Sequence, residues 1–252
     1  MGLENRGYMQ DEPTFFGGRY SGSADQLIVT IIVINVVVFI LQNLSSAVTY
    51  WLMLSHDTLF SGQIWRLVTY GFCHSTTSIF HIVFNMLNLF VFGRMLSQGM
   101  KASEFLAFYL LAIVAGGIAQ VGYNMGGDGY VIGASAGVSG LLLLAAMRYP
   151  RMRISLFGIL PLELRWLAIG VFVMSILSIG NTESNTAHAA HLGGALFGVA
   201  YQYFHWNLSG LFAGSDGGNK LKNLFRRKPK LKIHNPSGPT KKQQQLNEEV
   251  DR

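Results

Sequence analysis

The sequence is poor in charged residues and contains a single cysteine. Charged side chains make up 13% of the 252 residues, against the ~25% that is usual for soluble domains. No charge lies between Leu27 and Leu41, where only Thr30 and Asn35 are polar. The lone Cys73 excludes an intramolecular disulfide and a cysteine-based zinc site. These absences argue against a soluble domain and favour a chain that lies in a lipid bilayer.

Six apolar segments predict membrane-spanning helices, each of which needs ~17–25 mostly apolar residues. They cover residues 26–44, 79–97, 103–123, 133–148, 154–179 and 188–206, the fourth being short. The first could act as a signal-peptide core, but further apolar segments follow it, so we interpret it as a retained span. The sequence thus predicts an all-α membrane protein, with a six-helix bundle over residues 25–207 and a long interfacial loop between the first two spans.

Lysine and arginine residues are concentrated on one side of this topology. Eighteen of them lie in the segment 1–24, at or near the connections after the second and fourth spans, and in the tail 208–252, whereas only Arg66 lies on the opposite side. The positive-inside rule then predicts that both termini are cytoplasmic, and we expect a bacterial inner (plasma) membrane. The basic tail is expected to be disordered. It is either merely solvated or bound to anionic lipid headgroups, which are favoured over nucleic acid as its partner.

Four polar residues lie within about two turns of the start of an even-numbered span: His81, Asn85, Ser135 and His191. All even-numbered spans start on the outer side, so these residues of three helices share one depth near the outer surface. Polar groups within a bilayer are costly and are therefore functional candidates. His81 and Asn85 share one helix face. They could stabilise an oxyanion or hydrogen-bond between packed helices, and both interpretations stay open.

Ser135 and His191 each lie beside small residues that permit close helix packing. Ser135 starts a helix, where free backbone N–H groups and the helix dipole favour negative charge. Gly194 and Gly198 share the helix face of His191. A neutral histidine placed there could accept the serine proton as a general base. The alternative is a packing motif without chemistry. His188, one turn before His191, is either a supporting group or a histidine at headgroup level.

The stretch Gly-Ala-Ser-Ala-Gly over residues 133–137 also matches the nucleophile elbow of soluble α/β-hydrolases. That elbow requires a preceding strand and an acidic residue between the serine and the histidine. Here a glycine-rich loop precedes it, and the only acids in the interval are Glu163 and Glu183, both near span ends. The match therefore carries little weight. A transporter would need an inverted repeat with interrupted helices, and the sequence has none.

A zinc site is a further possibility, because catalytic zinc usually has three protein ligands and histidine is a good one. The candidate ligands would be His74, His81, His188 and His191. The sequence contains no His-Glu-x-x-His motif and no carboxylate among these histidines. We therefore expect neither a metal nor another cofactor.

In their order, these residues resemble the rhomboid intramembrane serine proteases, from Trp65 through about Gly198. The shared motifs are Trp65-Arg66, His74, His81-x-x-x-Asn85, Gly133-Ala134-Ser135, and His191 with Gly194 and Gly198. The resemblance implies that Ser135 is the nucleophile and His191 the base. It implies that His81, Asn85 and the Ser135 backbone N–H form the oxyanion hole, and that Trp65-Arg66 belongs to an interfacial loop beside the active site.

The resemblance also implies a function, and the sequence differs from the family pattern at two positions. It implies an endopeptidase that cuts single-pass transmembrane proteins near the extracytoplasmic face through a Ser–His dyad. Ala136 stands where the family commonly has glycine, and Ser139 where it commonly has an aromatic residue that packs on the base. The alternative function is therefore a catalytically weak or inactive rhomboid-like protein that binds transmembrane clients.

Overall fold

The computed structural model describes residues 23–124, 129–156, 160–179 and 187–211, and helices dominate this part of the chain. The N-terminal half contains α1 (Ser23–Leu44), α2 (Ser46–Leu52), β1 (Leu54–Ser55), α3 (His56–Phe60), α4 (Arg66–Thr69), a 3₁₀ turn (Tyr70–Phe72), α5 (Ile79–Ser97) and α6 (Ala102–Tyr123). The C-terminal half contains β2 (Tyr130–Val131), α7 (Ser135–Arg148), β3 (Arg153–Leu156), β4 (Leu160–Glu163), α8 (Leu164–Ser178) and α9 (His188–Tyr203).

Three of the described helices, α1, α5 and α6, are long and apolar enough to cross a membrane. Helices α7 and α8 are apolar but shorter, with 14 and 15 residues. The predicted bounds of the second span coincide with those of α5, and α1 and α6 extend their predicted spans only at the N-terminal end. The sequence predicts an all-α membrane protein; the described residues are mostly helical, include three candidate membrane helices, and also form two short strand pairs.

The predicted fifth span begins too early. Residues 153–156 and 160–163 form an antiparallel pair in which Arg153 lies opposite Glu163, and helix α8 begins only at Leu164. Pro161 gives a physical reason, because proline lacks an N–H and is not tolerated in a helix interior. Hydropathy alone does not distinguish a pair of apolar strands from an apolar helix, and the sequence therefore predicts this segment as part of the following span.

Helix α6 lies at the centre of the described bundle. It packs against α7 and α9 on one side and against α1 and α4 on others. Phe105, Phe108, Tyr109 and Ile113 of this helix are completely buried. By contrast, α1 and α8 keep many large apolar side chains exposed, among them Met174 and Leu177. An exposed apolar surface of this extent is unusual for a soluble monomer and suits contact with lipid.

The long loop between α1 and α5 is folded. Its strand β1 pairs with β2, with Leu54 opposite Val131 and Ser55 opposite Tyr130, so the loop is joined to the segment that leads into α7. The loop exposes several large apolar side chains, as an interfacial location would require. These are Tyr50, Trp51, Phe60, Ile64 and Trp65.

Some of the predicted features lie outside the described residues. These are most of the N-terminal segment 1–24, nearly all of the tail 208–252, and Glu183.

The side of each loop can be tested with cysteines at Ser61 and Lys101, two exposed positions before and after α5. In a Cys73→Ala background, a membrane-impermeant maleimide added to intact cells should label Ser61→Cys, whereas Lys101→Cys should react only after the membrane is opened. Native Cys73 should stay unlabelled, because it is fully buried and burial raises the pKa of its thiol to about 12. Labelling of both positions in intact cells would mean that α5 does not cross, and the reverse pattern would mean an inverted orientation.

Candidate active site

Helices α7 and α9 approach each other through glycines at their shared interface. A Cβ added to Gly194 would collide with the carbonyl oxygen of Ala136, and one added to Gly198 would lie 2.5 Å from the carbonyl oxygen of Gly140. The two backbones are therefore in direct contact, with no room for a side chain between them. Ser135 directly precedes Ala136 in the chain, and His191 lies one turn before Gly194. The contact thus joins the ends of the two helices that carry these residues.

Ser135 is the first residue of α7 and is half-buried, whereas Ser139, one turn further along, is buried. The first backbone N–H groups of a helix have no partner within the helix, so Ser135 lies where hydrogen-bond donors are free. Its hydroxyl makes no hydrogen bond to His191 within the part of the chain that the structure describes. His191 is itself half-buried, near the start of α9.

Gly133 forms the turn that leads into α7. Its φ of +124° lies in a region that favours glycine, and its N–H donates to the carbonyl oxygen of Tyr70 at 3.0 Å. A Cβ at this position would lie 2.8 Å from Nε2 of His81 and 3.6 Å from Oγ of Ser135. Glycine is therefore required here both by the backbone conformation and by the close approach of the imidazole.

The orientation of His81 follows from its hydrogen bond. Its Nδ1 accepts from the backbone N–H of Ser75 at 3.2 Å, so in the neutral ring Nε2 carries the proton. That Nε2 is the atom that approaches Gly133, next to Ser135. The structure thus directs one N–H donor at the turn that precedes the serine.

Asn85 lies one turn after His81 and is buried. Its Nδ2 donates to the carbonyl oxygen of His81 in its own helix at 2.8 Å. An amide nitrogen has two N–H groups, so one remains for another acceptor. Part of the donor capacity of Asn85 therefore serves its own helix.

Two further histidines flank these residues. The ring of His74 is completely buried and packs edge-on against His81, with ring centroids 5.1 Å apart. Burial, and to a lesser degree the nearby His81, lower the pKa of His74 to about 3, so His74 is neutral near pH 7. The ring of His188 lies 6.0 Å from that of His191. Among the described residues, no cluster of three or more potential ligands is placed to hold a metal ion.

Trp65 and Arg66 take different positions in the loop. Arg66 is buried, and its guanidinium donates to the carbonyl oxygens of Tyr50 and Met53, both at 2.6 Å, and to the side chain of Gln63 at 2.7 Å. Arg66 thus fixes the loop by satisfying its backbone groups. Trp65 leaves 49% of its surface exposed and is available to the membrane interface.

Two supporting residues were missed by sequence reasoning. Gln120 of α6 is buried, and its Oε1 accepts the backbone N–H of Ala190, in the first turn of α9, at 3.1 Å. Tyr70 donates to the carbonyl oxygen of Ile113 at 2.7 Å while its own carbonyl accepts from Gly133. Gln120 could have been found by the rule that polar residues within a span are candidates. Tyr70 lies in the predicted loop between the first two spans, where this rule does not apply.

The Rhomboid domain family model matches residues 61–208, more than half of the chain. The chain belongs to the rhomboid family, as its motifs indicated, and this family includes serine proteases.

Several curated relatives bear rhomboid names. The chain is 30% identical to RHOMBOID-like protein 12, mitochondrial, of Arabidopsis thaliana, over 57% of this chain and 47% of that protein. It is 28% identical to Rhomboid protein 1, mitochondrial, of Saccharomyces cerevisiae, over 71% of this chain and 53% of that protein. The chain thus spans about half the length of these relatives. The names of both relatives include the word mitochondrial. They therefore do not support the expectation of a bacterial inner membrane.

The contact between α7 and α9 can be tested by adding one methyl group. Gly194→Ala should lower the thermal unfolding midpoint of the purified protein, because overpacking of this kind typically costs ~1–3 kcal/mol. Gly170→Ala in α8 is the matched control, since a Cβ there meets nothing within 4 Å. It should leave the midpoint unchanged or raise it, because alanine is favoured over glycine in a helix by ~0.5–1 kcal/mol. Equal midpoints for the two variants would contradict the close contact.

Proposed function

We propose that this chain is an intramembrane serine endopeptidase that cuts single-pass transmembrane proteins near the membrane face opposite its basic segments. The main support for this proposal is that His81 Nε2 lies close to the turn formed by Gly133 and Ser135. A hydrogen-bond donor near a half-buried serine at a helix N-terminus is what an oxyanion hole requires. The glycine contact between α7 and α9 supports the pairing of that serine with His191.

In the proposed reaction Ser135 Oγ attacks the scissile carbonyl carbon while its proton passes to His191. The Nε2–H of His81, the remaining N–H of Asn85 and the Ser135 backbone N–H would stabilise the oxyanion. Collapse of this intermediate breaks the C–N bond, and the proton on His191 goes to the leaving amine. Water, deprotonated by His191, then releases the acyl group and regenerates Ser135. No cofactor takes part in these steps.

The length of α7 supports a recessed site. Fourteen residues at ~1.5 Å each span ~21 Å, short of the ~30 Å hydrocarbon core. If Arg148 lies at the basic side of the membrane, Ser135 lies ~9 Å below the opposite boundary of that core. Hydrolysis there needs a water-filled cavity. We propose that α7, α8 and α9 complete a six-span bundle, with residues 1–24 and 208–252 on its basic side.

The absence of a hydrogen bond between Ser135 and His191 in the described structure favours a second candidate, a rhomboid-like protein that binds transmembrane clients without cutting them. Catalytic hydrogen bonds are often long or poorly aligned without substrate and tighten when it binds. The protease proposal therefore remains the better account of Ser135, His81 and His191 together.

The nucleophile is tested by two serines one turn apart. Ser135→Ala should abolish cleavage of a model transmembrane substrate in detergent or liposomes, because the hydroxyl that attacks is gone. Ser139→Ala should retain clear activity, since Ser139 is buried behind the helix start. Both variants should keep the unfolding midpoint of the parent protein. Equal loss in both, or loss in Ser139→Ala alone, would require another nucleophile.

The two side-chain donors of the proposed oxyanion hole should contribute differently to kcat. His81→Ala should lower kcat by about the 10²–10³-fold that loss of one such donor costs in soluble enzymes. Asn85→Ala should lower kcat less, because one Asn85 N–H is already bonded to the His81 carbonyl. Steady-state kinetics on one substrate measure both. An effect confined to KM would indicate substrate packing rather than charge stabilisation.

The base is tested by substitution and by acid. His191→Ala should be inactive, and the cleavage rate of the parent protein should fall on acidification, because only a neutral histidine accepts the serine proton. EDTA should have no effect. Inhibition by the chelator, reversed by added zinc, would instead support a metal site and overturn the dyad.

A further inference from the structure

Gln42, near the end of α1, lies outside the residues matched by the family model and outside the motifs recognised in the sequence. Its side chain is buried. Its Oε1 accepts the backbone N–H of His74 at 2.9 Å, and its Nε2 donates to the carbonyl oxygen of His74 at 3.1 Å. The same Nε2 donates to Oγ1 of Thr49 at 2.9 Å. One amide thus satisfies both backbone groups of His74 and ties α1 to the loop 32 residues later.

The loop that Gln42 holds has little other backbone support. Outside helices and strands, the described backbone hydrogen bonds include none made by residues 74–77. Buried backbone groups without partners are costly. A segment without backbone hydrogen bonds is therefore fixed where side chains bond to its N–H and C=O groups. At His74 that side chain is Gln42.

The His74–Ser75 segment orients His81, the proposed hydrogen-bond donor to the oxyanion. Ser75, the residue after His74, donates its N–H to Nδ1 of His81. This bond leaves the proton of the neutral ring on Nε2, the atom that approaches Gly133 and Ser135. A shift of the His74–Ser75 backbone would remove the donor to Nδ1. The ring could then rotate or take the other tautomer.

We propose that Gln42 is a positioning residue for the oxyanion hole. By clamping the backbone of His74 it holds the Ser75 N–H against His81 Nδ1 and keeps the His81 Nε2–H facing the turn at Ser135. This inference rests on the proposed protease function for its kinetic consequence, but the state of the His81 ring is measurable without any substrate. Donors of this kind act only when their geometry is fixed in advance.

The spectroscopic test uses protein labelled with ¹⁵N-histidine, with the His81 signals assigned by their loss in His81→Ala. The parent protein should show an unprotonated Nδ1 and a protonated Nε2 at His81. Gln42→Met, which keeps the length of the side chain but removes its hydrogen bonds, should shift His81 toward a mixture of tautomers. Asn43→Met is the matched control, because Asn43 is exposed and bonds to Phe39 of its own helix. An unchanged His81 in Gln42→Met would overturn the proposal.

The kinetic test is a double-mutant cycle with His81. Gln42→Met should lower kcat by about tenfold, below the ~10²–10³-fold for loss of the donor itself, with KM nearly unchanged. In a His81→Ala background the same substitution should have little further effect, because its route is already removed. A merely structural role would instead give effects on kcat that multiply in the double variant, because the two substitutions would then act independently.

If Gln42→Met does not fold, Gln42→Glu replaces it and is measured at a pH at which the introduced carboxyl is ionised, since a carboxylate accepts from the His74 N–H but, unlike the protonated acid, has no donor for the His74 carbonyl. It should give the same mixture of His81 tautomers, and an unaltered ring would contradict the clamp. A parent protein that cuts no substrate but shows the expected His81 tautomer would refute the proposed function while leaving the clamp intact. An active parent protein with an unaffected Gln42→Met would refute the clamp alone.

Discussion

The candidate site depends on the direct backbone contact between α7 and α9. Gly194 lies against the Ala136 carbonyl and Gly198 against that of Gly140, one helical turn further along. This spacing fixes the register of the two helices as well as their distance. Within a bilayer, close packing of small residues is a main source of helix association, because lipid is as apolar as the side chains it replaces. The contact therefore both stabilises the bundle and determines which residues of the two helices can meet.

Around this contact, buried polar side chains supply partners for backbone groups of neighbouring elements. Gln120 accepts an N–H from the first turn of α9, Arg66 satisfies loop carbonyls, and Gln42 pairs with the backbone of His74. Each bond offsets the cost of burying backbone groups away from water. Together they hold the loop, α5 and α9 around the start of α7. A preorganised site of this kind loses little free energy to rearrangement during a reaction.

Much of this arrangement could be predicted because it follows from hydropathy and helical periodicity. The bounds of α5 follow from the length of an apolar segment. The shared face of His81 and Asn85 and the glycine face of His191 follow from spacing of three or four residues. The strand pair before α8 could not be predicted, because apolar strands and apolar helices have similar compositions. The role of Gln42 could not be predicted either. Its partner is the backbone of a residue 32 positions away, and backbone partners leave no mark in the sequence.

The Ser–His dyad is tested most directly by covalent labelling of the purified protein with a fluorophosphonate, followed by mass mapping of the modified residue. Such reagents react with serines that are activated by a base. Modification of Ser135 is expected in the parent protein, and none is expected in His191→Ala. Modification of Ser139, or labelling of Ser135 that does not depend on His191, would contradict the Ser–His dyad. A folded protein that takes up no label would contradict the protease itself.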